Sequence, residues 1–265
     1  MVDIMSACIV YITLHAFKTF KMANPSVLKA LTREQIEEAL KKVRQEVDVP
    51  GVKIEIVTEE YYDKALVFMR DNFVLKEPMA VSVGLQWTPE LEQIWIRCFK
   101  FNISLMFVDE KTGEIIAMRT SKISRKGESV DPSTIKEQPL RDVFDIFTHC
   151  ERNADFFGKF GTTEAFHFYG LAVSEKYGRQ GYGEKICRAA ISMFRHLGFD
   201  PFYIRGEATS NYSKRIYEKV GLQEIFEQRY DTWIVDGRRP IQNTGIHESM
   251  KLYGMKLTQN DRAEK

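Results

Sequence analysis

The stretch that most limits how this chain can fold is residues 166–186, AFHFYGLAVSEKYGRQGYGEKI read from Ala165. An apolar run at 166–173 predicts a buried strand. A loop with Gly178, Gly181 and Gly183 follows, and helical spacing occupies 184–197. A glycine-lined loop that opens a helix presents free backbone N–H groups at the positive end of the helix dipole, which suits a phosphate. Side chains there would hold the phosphate away from the amides. Two other phosphate loops fail on spacing. The dinucleotide pattern Gly-x-Gly-x-x-Gly is not the order found here, and Glu184-Lys185-Ile186 replaces the Lys-Ser/Thr that closes a P-loop.

Composition narrows the classes. At 265 residues the chain suits one domain with extensions. Thirty-eight Lys and Arg against 37 Asp and Glu give a formal charge of +1, so neither a nucleic acid nor an acidic partner surface is implied. Cys8, Cys98, Cys150 and Cys187 are widely spaced with no Cys-x-x-Cys pair, and are read as reduced thiols in a cytoplasmic protein. The histidines show no paired metal spacing, and no metal is expected. No run is long enough to span a bilayer, since the uncharged stretch 4–17 has only 14 residues. With Asp3 in place of a basic start, that stretch is read as an amphipathic or disordered arm, and Met22 could equally be a second start.

From there the elements alternate. Residues 31–47 predict a surface helix, with Thr32 and Gln35 forming a capping box and Ile36, Leu40, Val43 and Val47 its apolar stripe. Strands are expected at 52–57, 104–108, 115–121, 166–173, 202–207, 224–233 and 249–257. Helices are expected at 61–73, 89–100, 140–160 (broken near Asn153), 184–197 and 212–219, with 122–138 a polar loop. The domain plan is an arm and amphipathic helix at 1–50, one domain at 51–258 and a polar tail at 259–265. The fold class is α/β, with a mixed, mostly antiparallel central sheet and helices on both faces.

The order strand, glycine loop, helix, strand, short helix, strand resembles the acetyl-CoA-binding core of the GNAT superfamily of N-acetyltransferases. The loop Gly178-Arg179-Gln180-Gly181-Tyr182-Gly183 follows that superfamily's (Q/R)-x-x-G-x-(G/A) pattern except at Gly178. Two further stretches are similar to the arylalkylamine N-acetyltransferase-like proteins of insects and their relatives. Asn72-Phe73-Val74-Leu75-Lys76-Glu77-Pro78-Met79 looks like their N-F-F-x-x-E-P-L, and Ala208-Thr209-Ser210-Asn211-Tyr212-Ser213 like their (C/A)-(S/T)-S-x-Y-S. The resemblance covers about 52–257.

It implies a GNAT fold with a strand pair splayed at the CoA site, acetyl-CoA as co-substrate, and a small-molecule amine as acceptor. Leu171, Ala172 and Val173 are then expected to offer amides to the thioester, and Arg179, Gln180, Gly181, Tyr182, Gly183 and Ser210 to hold the cofactor. Arg179 supplies the charge that Gly178 lacks. Glu77 takes the part of general base, Pro78 fixing the backbone beside it. A primary amine with pKa near 10.4 costs roughly 4–5 kcal/mol to neutralise at pH 7, which gives a carboxylate its task. Ser213, Thr209 and Tyr217 are the hydroxyls for the departing thiolate, with either Ser213 or Tyr217 as proton donor. A pocket histidine of some relatives is replaced by Asn243, although His247 lies close. Phe73, Trp87, Phe166, Phe168 and Tyr169 could line an aryl slot or belong to the core.

Arylalkylamines of the dopamine, tyramine and serotonin kind are the expected acceptors. Polyamines, other aliphatic amines and peptide N-termini remain open, as does a non-catalytic acyl-CoA-binding relative suggested by Gly178. The protein is expected to be a monomer.

Overall fold

The computed structural model describes residues 31–261. The expected arm before residue 31 and the end of the polar tail lie outside the described residues.

Seven strands form one sheet: β1 (Val52–Ile56), β2 (Leu105–Asp109), β3 (Ile115–Arg125), β4 (Glu164–Val173), β5 (Phe202–Ala208), β6 (Gln223–Arg229) and β7 (Ser249–Leu257). Their order is β1-β2-β3-β4-β5-β7-β6. Only β4 and β5 run parallel, their crossover carrying the helix that follows the glycine loop. The helices are α1 (Arg33–Glu46), α2 (Tyr62–Met69), α3 (Pro78–Ser82), α4 (Pro89–Phe99), α5 (Gln138–Ala154), α6 (Phe156–Phe160), α7 (Tyr182–His196) and α8 (Asn211–Lys219). Thr32 and Gln35 cap α1 reciprocally.

Alternation along the strands sorts two cores. Phe107, Ala117, Phe166, Phe168 and Ile204 face α1, α7 and α8. Met106, Met118, Ala172 and Met250 face α2 to α5 on the other side. A bulge in β4 inverts this alternation. Thr120 pairs with Gly170 and Ser121 with Phe168, so Tyr169 is the extra residue. His167 before the bulge, the bulged Tyr169, and Gly170 and Ala172 after it therefore share the second face. At Gly170 a Cβ would lie 2.7 Å from the Trp95 ring, so glycine is needed for close packing there.

Three expectations are corrected. Residues 122–125 belong to β3 and are not loop, pairing with 164–167; Lys122 and Ser124 are polar because they line a cavity. The strand expected at 224–233 ends at Arg229, where Trp233 N–H turns back to Tyr230 O. The helix expected at 61–73 is α2 followed by a π-turn at Arg70–Val74. The helix break lies at Asp155, whose backbone is left-handed (φ 38°). The short α3 was not anticipated.

Candidate active site

The glycine loop ends at the N-terminus of α7. Gly181 is its N-cap with φ +80°, and Arg179 before it is also left-handed at φ 60°. Arg179 and Gln180 are exposed. The first-turn amides of Tyr182 and Gly183 have no partner within the helix. Gly183 is buried, and a Cβ there would approach Ile216 Cδ1 to 2.9 Å and Val173 Cγ2 to 3.6 Å. The Tyr182 ring stands edge-on to Phe107 and Tyr177. Gly178 has φ −60°, a conformation open to any residue, so no backbone demand explains it. The loop therefore fits a diphosphate through main-chain N–H groups and Gly183, with Arg179 as its exposed cation.

Beside it the sheet opens. β4 and β5 pair only through Phe166–Ile204, His167–Arg205 and Phe168–Gly206. Ser174 N–H donates to Ile116 O on β3. N–H directions alternate along a strand, so Ala172 N–H also faces β3, whereas those of Leu171 and Val173 face the gap where pairing with β5 has ended. Leu171 and Val173 thus present amides to that gap and Ala172 does not.

Tyr217, on α8, reaches the same point. A Cβ on Gly206 would come within 3.0 Å of the Tyr217 hydroxyl, which also lies 3.5 Å from Phe168 O. Arg119 Nη2 donates to that phenol oxygen at 3.1 Å. The Arg119 guanidinium is buried, sits 4.2 Å from the Phe168 ring, and leaves Nε and Nη1 without partners. Burial pushes the Tyr217 pKa up while the Arg119 charge opposes it, so the phenol stays protonated at neutral pH.

On the opposite face lies a cavity of about 480 Å³. Glu77, Thr209, His167, Tyr169, Arg205 and Glu207 line it together with Phe73, Trp95, Phe144 and Phe147. Glu77 is 8% exposed and caps α3, accepting from Ala80 N–H at 2.6 Å through Oε2. Pro78 at the first helical position holds Glu77 extended (φ −68°, ψ 126°). Its other oxygen, Oε1, is buried without a partner. Burial raises the Glu77 pKa, opposed by the adjacent Thr209 hydroxyl and the amides of Ala80 and Met79. Tyr230 hydroxyl donates to Thr209 O at 2.8 Å and so fixes that residue.

The structure brings Glu77 and Thr209 together in the cavity, and Leu171, Val173 and Tyr217 at the opening of the sheet. Ser210 and Ser213 stand apart as a capping box. Ser210 Oγ accepts from Ser213 N–H at 3.2 Å, and Ser213 Oγ donates to Ser210 O at 3.0 Å. His247 lies outside the cavity lining and accepts from Asn211 N–H through Nδ1. Of the aromatics, Phe73 and Tyr169 line the cavity, whereas Phe166 and Phe168 pack on Phe194 in the core of the other face.

The sequence reading missed His167, Arg205, Glu207 and Glu151. His167 Nε2 meets Glu207 Oε2 at 2.5 Å, and Arg205 joins Glu207 to Glu151. The signal was present: charged residues at 205 and 207 alternate with apolar ones in a predicted strand. Among the described residues, no cluster of His, Cys, Asp and Glu could hold a metal ion, and no helix is long and apolar enough to cross a membrane.

Solved structures share this fold. Arylalkylamine N-acetyltransferase 2 from the mosquito Aedes aegypti superposes with a TM-score of 0.72 at 20% identity, over 79% of this chain and 99% of that one. A mosquito arylalkylamine N-acetyltransferase-like protein, 5b, gives 0.71 at 19% identity over 78% and 100%. The Drosophila melanogaster polyamine N-acetyltransferase, described as forming N-acetylagmatine, gives 0.68 at 17% over 78% and 100%. The sequence pattern of the acetyltransferase (GNAT) family matches residues 73–222, spanning the splayed strands and the glycine loop. The chain belongs to the acetyltransferase (GNAT) family.

Proposed function

We propose that this acetyltransferase moves an acetyl group from acetyl-CoA to small primary amines, arylalkylamines first among them, with Glu77 as general base. The observation that carries this reading is the half-satisfied Glu77 carboxylate in an aromatic-lined cavity. Oε2 is tied to Ala80 N–H, while Oε1 is buried and unpaired, ready for an ammonium. The cavity volume is within the range of small-molecule sites.

Acetyl-CoA, when bound, supplies an activated acetyl group and a thiol leaving group. The amides of Tyr182 and Gly183, with Arg179, hold its diphosphate, assisted by Gln180 and Gly181 in the same turn. Glu77 binds the ammonium and takes its proton, a service worth about 10²–10⁴ in rate. A carboxylate whose pKa is raised by burial is a stronger base than an ordinary one. Leu171 and Val173 N–H groups donate to the carbonyl oxygen as negative charge builds on it. Tyr217 gives its hydroxyl proton to the sulfur. Arg119 donates to the phenol oxygen, and the phenol's own hydrogen is held only by a long 3.5 Å bond to Phe168 O, which it exchanges for the sulfur.

The polyamine relative motivates a second reading, aliphatic polyamines as acceptors. Thiol release from acetyl-CoA, followed across aryl, indole, polyamine and peptide amines, separates the two. Arylalkylamines are expected to give the highest kcat/KM; a preference for spermidine or agmatine would replace the first reading with the second, and activity on peptides alone would refute both.

A further inference from the structure

The cavity holds a second polar post that the acyl-transfer scheme leaves unused. His167 is 7% exposed, and its Nε2 meets Glu207 Oε2 at 2.5 Å. Glu207 Oε1 accepts from Arg205 Nη2 at 2.6 Å, so both carboxylate oxygens are engaged. Burial holds the imidazole neutral, with its pKa lowered to about 4. Burial opposes ionisation of Glu207, but His167 and Arg205 outweigh it and keep the carboxylate charged. An ionised carboxylate can only accept, so the hydrogen of the neutral ring sits on Nε2. Nδ1 is then a bare acceptor, and it has no partner.

The surroundings select what could meet it. Apart from Glu77, the lining carries four positive charges, Arg97, Lys122, Arg125 and Arg205, against four negative ones, Glu128, Asp131, Glu151 and Glu207, with Lys122 paired with His167 across β3 and β4. No surplus of negative charge awaits a second ammonium or a guanidinium. A neutral donor, a hydroxyl, suits a bare imidazole nitrogen. The spacing also fits. His167 is level with Arg205 across β4 and β5, and Thr209, which adjoins Glu77, follows four residues later, just past the end of β5. Four residues of extended chain span roughly 13 Å, room for an aromatic ring with a short amine tail and a hydrogen bond at each end. Aromatic edges bound the space between. Trp95 stands edge-on to Phe73 and to Tyr169 at centroid distances of 5.6 and 5.4 Å, and Tyr169 edge-on to His167 at 5.6 Å.

We propose that His167, held by Glu207, is a specificity-determining residue that accepts a hydrogen bond from a hydroxyl on the aromatic ring of the amine substrate. The enzyme then selects hydroxylated arylalkylamines over their unhydroxylated counterparts and over diamines. This rests on the reading of the cavity as the amine site.

The test compares kcat/KM for tyramine against phenethylamine and for serotonin against tryptamine, with agmatine as the doubly cationic comparator. The wild-type protein is expected to favour the hydroxylated member of each pair by about 10–100-fold, because its absence leaves a buried acceptor unpaired. His167→Leu is expected to collapse both ratios toward one while retaining turnover of phenethylamine. His167→Gln, which keeps an N–H for Glu207 and a carbonyl acceptor, is expected to retain part of the preference. Should the leucine variant not fold, the wild-type ratios and the glutamine variant decide the matter. Equal kcat/KM within each wild-type pair, ratios unmoved in His167→Leu, or agmatine as the best acceptor would overturn the inference. Absence of turnover with every amine would instead sink the amine-site reading, and this inference with it.

Discussion

Two glutamates in one cavity differ in almost every respect except their chemistry. Glu77 has one oxygen bound to Ala80 N–H and the other left over; Glu207 has both oxygens engaged, by His167 and Arg205. Burial raises the pKa of Glu77, and only the neighbouring neutral groups, the Thr209 hydroxyl and the amides of Ala80 and Met79, resist it. The same burial acts on Glu207, but two partners overcome it and the pKa falls well below the usual range. The difference teaches what unspent capacity means. A buried carboxylate with an idle oxygen and a raised pKa is available to a ligand, whereas a saturated one belongs to the scaffold.

The largest way to break this contrast is Glu77→Gln. The amide keeps the cap acceptor for Ala80 N–H but cannot take a proton. Steady-state assays at pH 7 are expected to show kcat/KM lower by about 10²–10⁴, with the deficit shrinking at high pH as the amine deprotonates on its own. Since burial raises the Glu77 pKa in the folded state, the charged side chain costs stability above that pKa and the cost disappears in acid. The variant is therefore expected to be no less stable than wild type in urea at pH 7. Full activity at neutral pH would remove Glu77 from the chemistry.

The second test moves to the saturated carboxylate. Glu207→Gln strips the charge that pairs with Arg205 and accepts from the neutral His167 ring, leaving Arg205 with Glu151 alone. Breaking a buried pair costs about 3–5 kcal/mol, and denaturant midpoints should show it at pH 7. The sign with pH is opposite to that of Glu77. A depressed folded pKa gives stability that is present above the ordinary carboxylate range and lost as pH falls below it. The gap between wild type and variant should narrow below about pH 4. A gap that widened in acid would mean that Glu207 is not held ionised.

A third test concerns the leaving group. Tyr217→Phe removes the hydroxyl at the splay and leaves Arg119 Nη2 without its acceptor. A hydrogen bond to a developing thiolate is worth about 1.5–3 kcal/mol, so kcat should fall about 10–100-fold; because burial raises the phenol pKa, that deficit should stay constant from neutral to mildly alkaline pH. An unchanged kcat would reduce the tyrosine to packing.

These two carboxylates were not equally legible in the sequence. Glu77 stood out because Pro78 follows it in a stretch resembling a known family, and a local signal sufficed. The glycine loop was legible for the same reason: strand, turn and helix cue are contiguous over about twenty residues. Glu207 meets His167 across a parallel pair forty residues apart, and nothing local announces such a partner. The bulge at Tyr169 was half legible: Gly170 fits a bulge or splay, as it also fits a plain strand, but one extra residue changes which side chains face the cavity without changing the apolar run. Residues 122–125 show the converse error. Their polarity reads as loop, yet they line a cavity from within a strand.

Ser213 gives the smallest and most discriminating test, since it belongs to neither carboxylate. Its hydroxyl donates to Ser210 O and accepts from Ser210 N–H at 3.3 Å, which spends its capacity as Glu207's is spent. If saturation marks scaffold, Ser213→Ala should cost about 0.5–1.5 kcal/mol of stability through the lost reciprocal bond to Ser210 N–H, the N-cap bond of Ser210 itself remaining, and leave kcat/KM within about twofold. Thermal unfolding and assays on one preparation settle both numbers. A fall in kcat of tenfold or more at unchanged stability would show that a hydrogen-bonded hydroxyl can leave its cap to serve the reaction. The rule drawn from Glu77 and Glu207 would then fail for hydroxyls, which donate and accept at once, while still holding for carboxylates, which only accept.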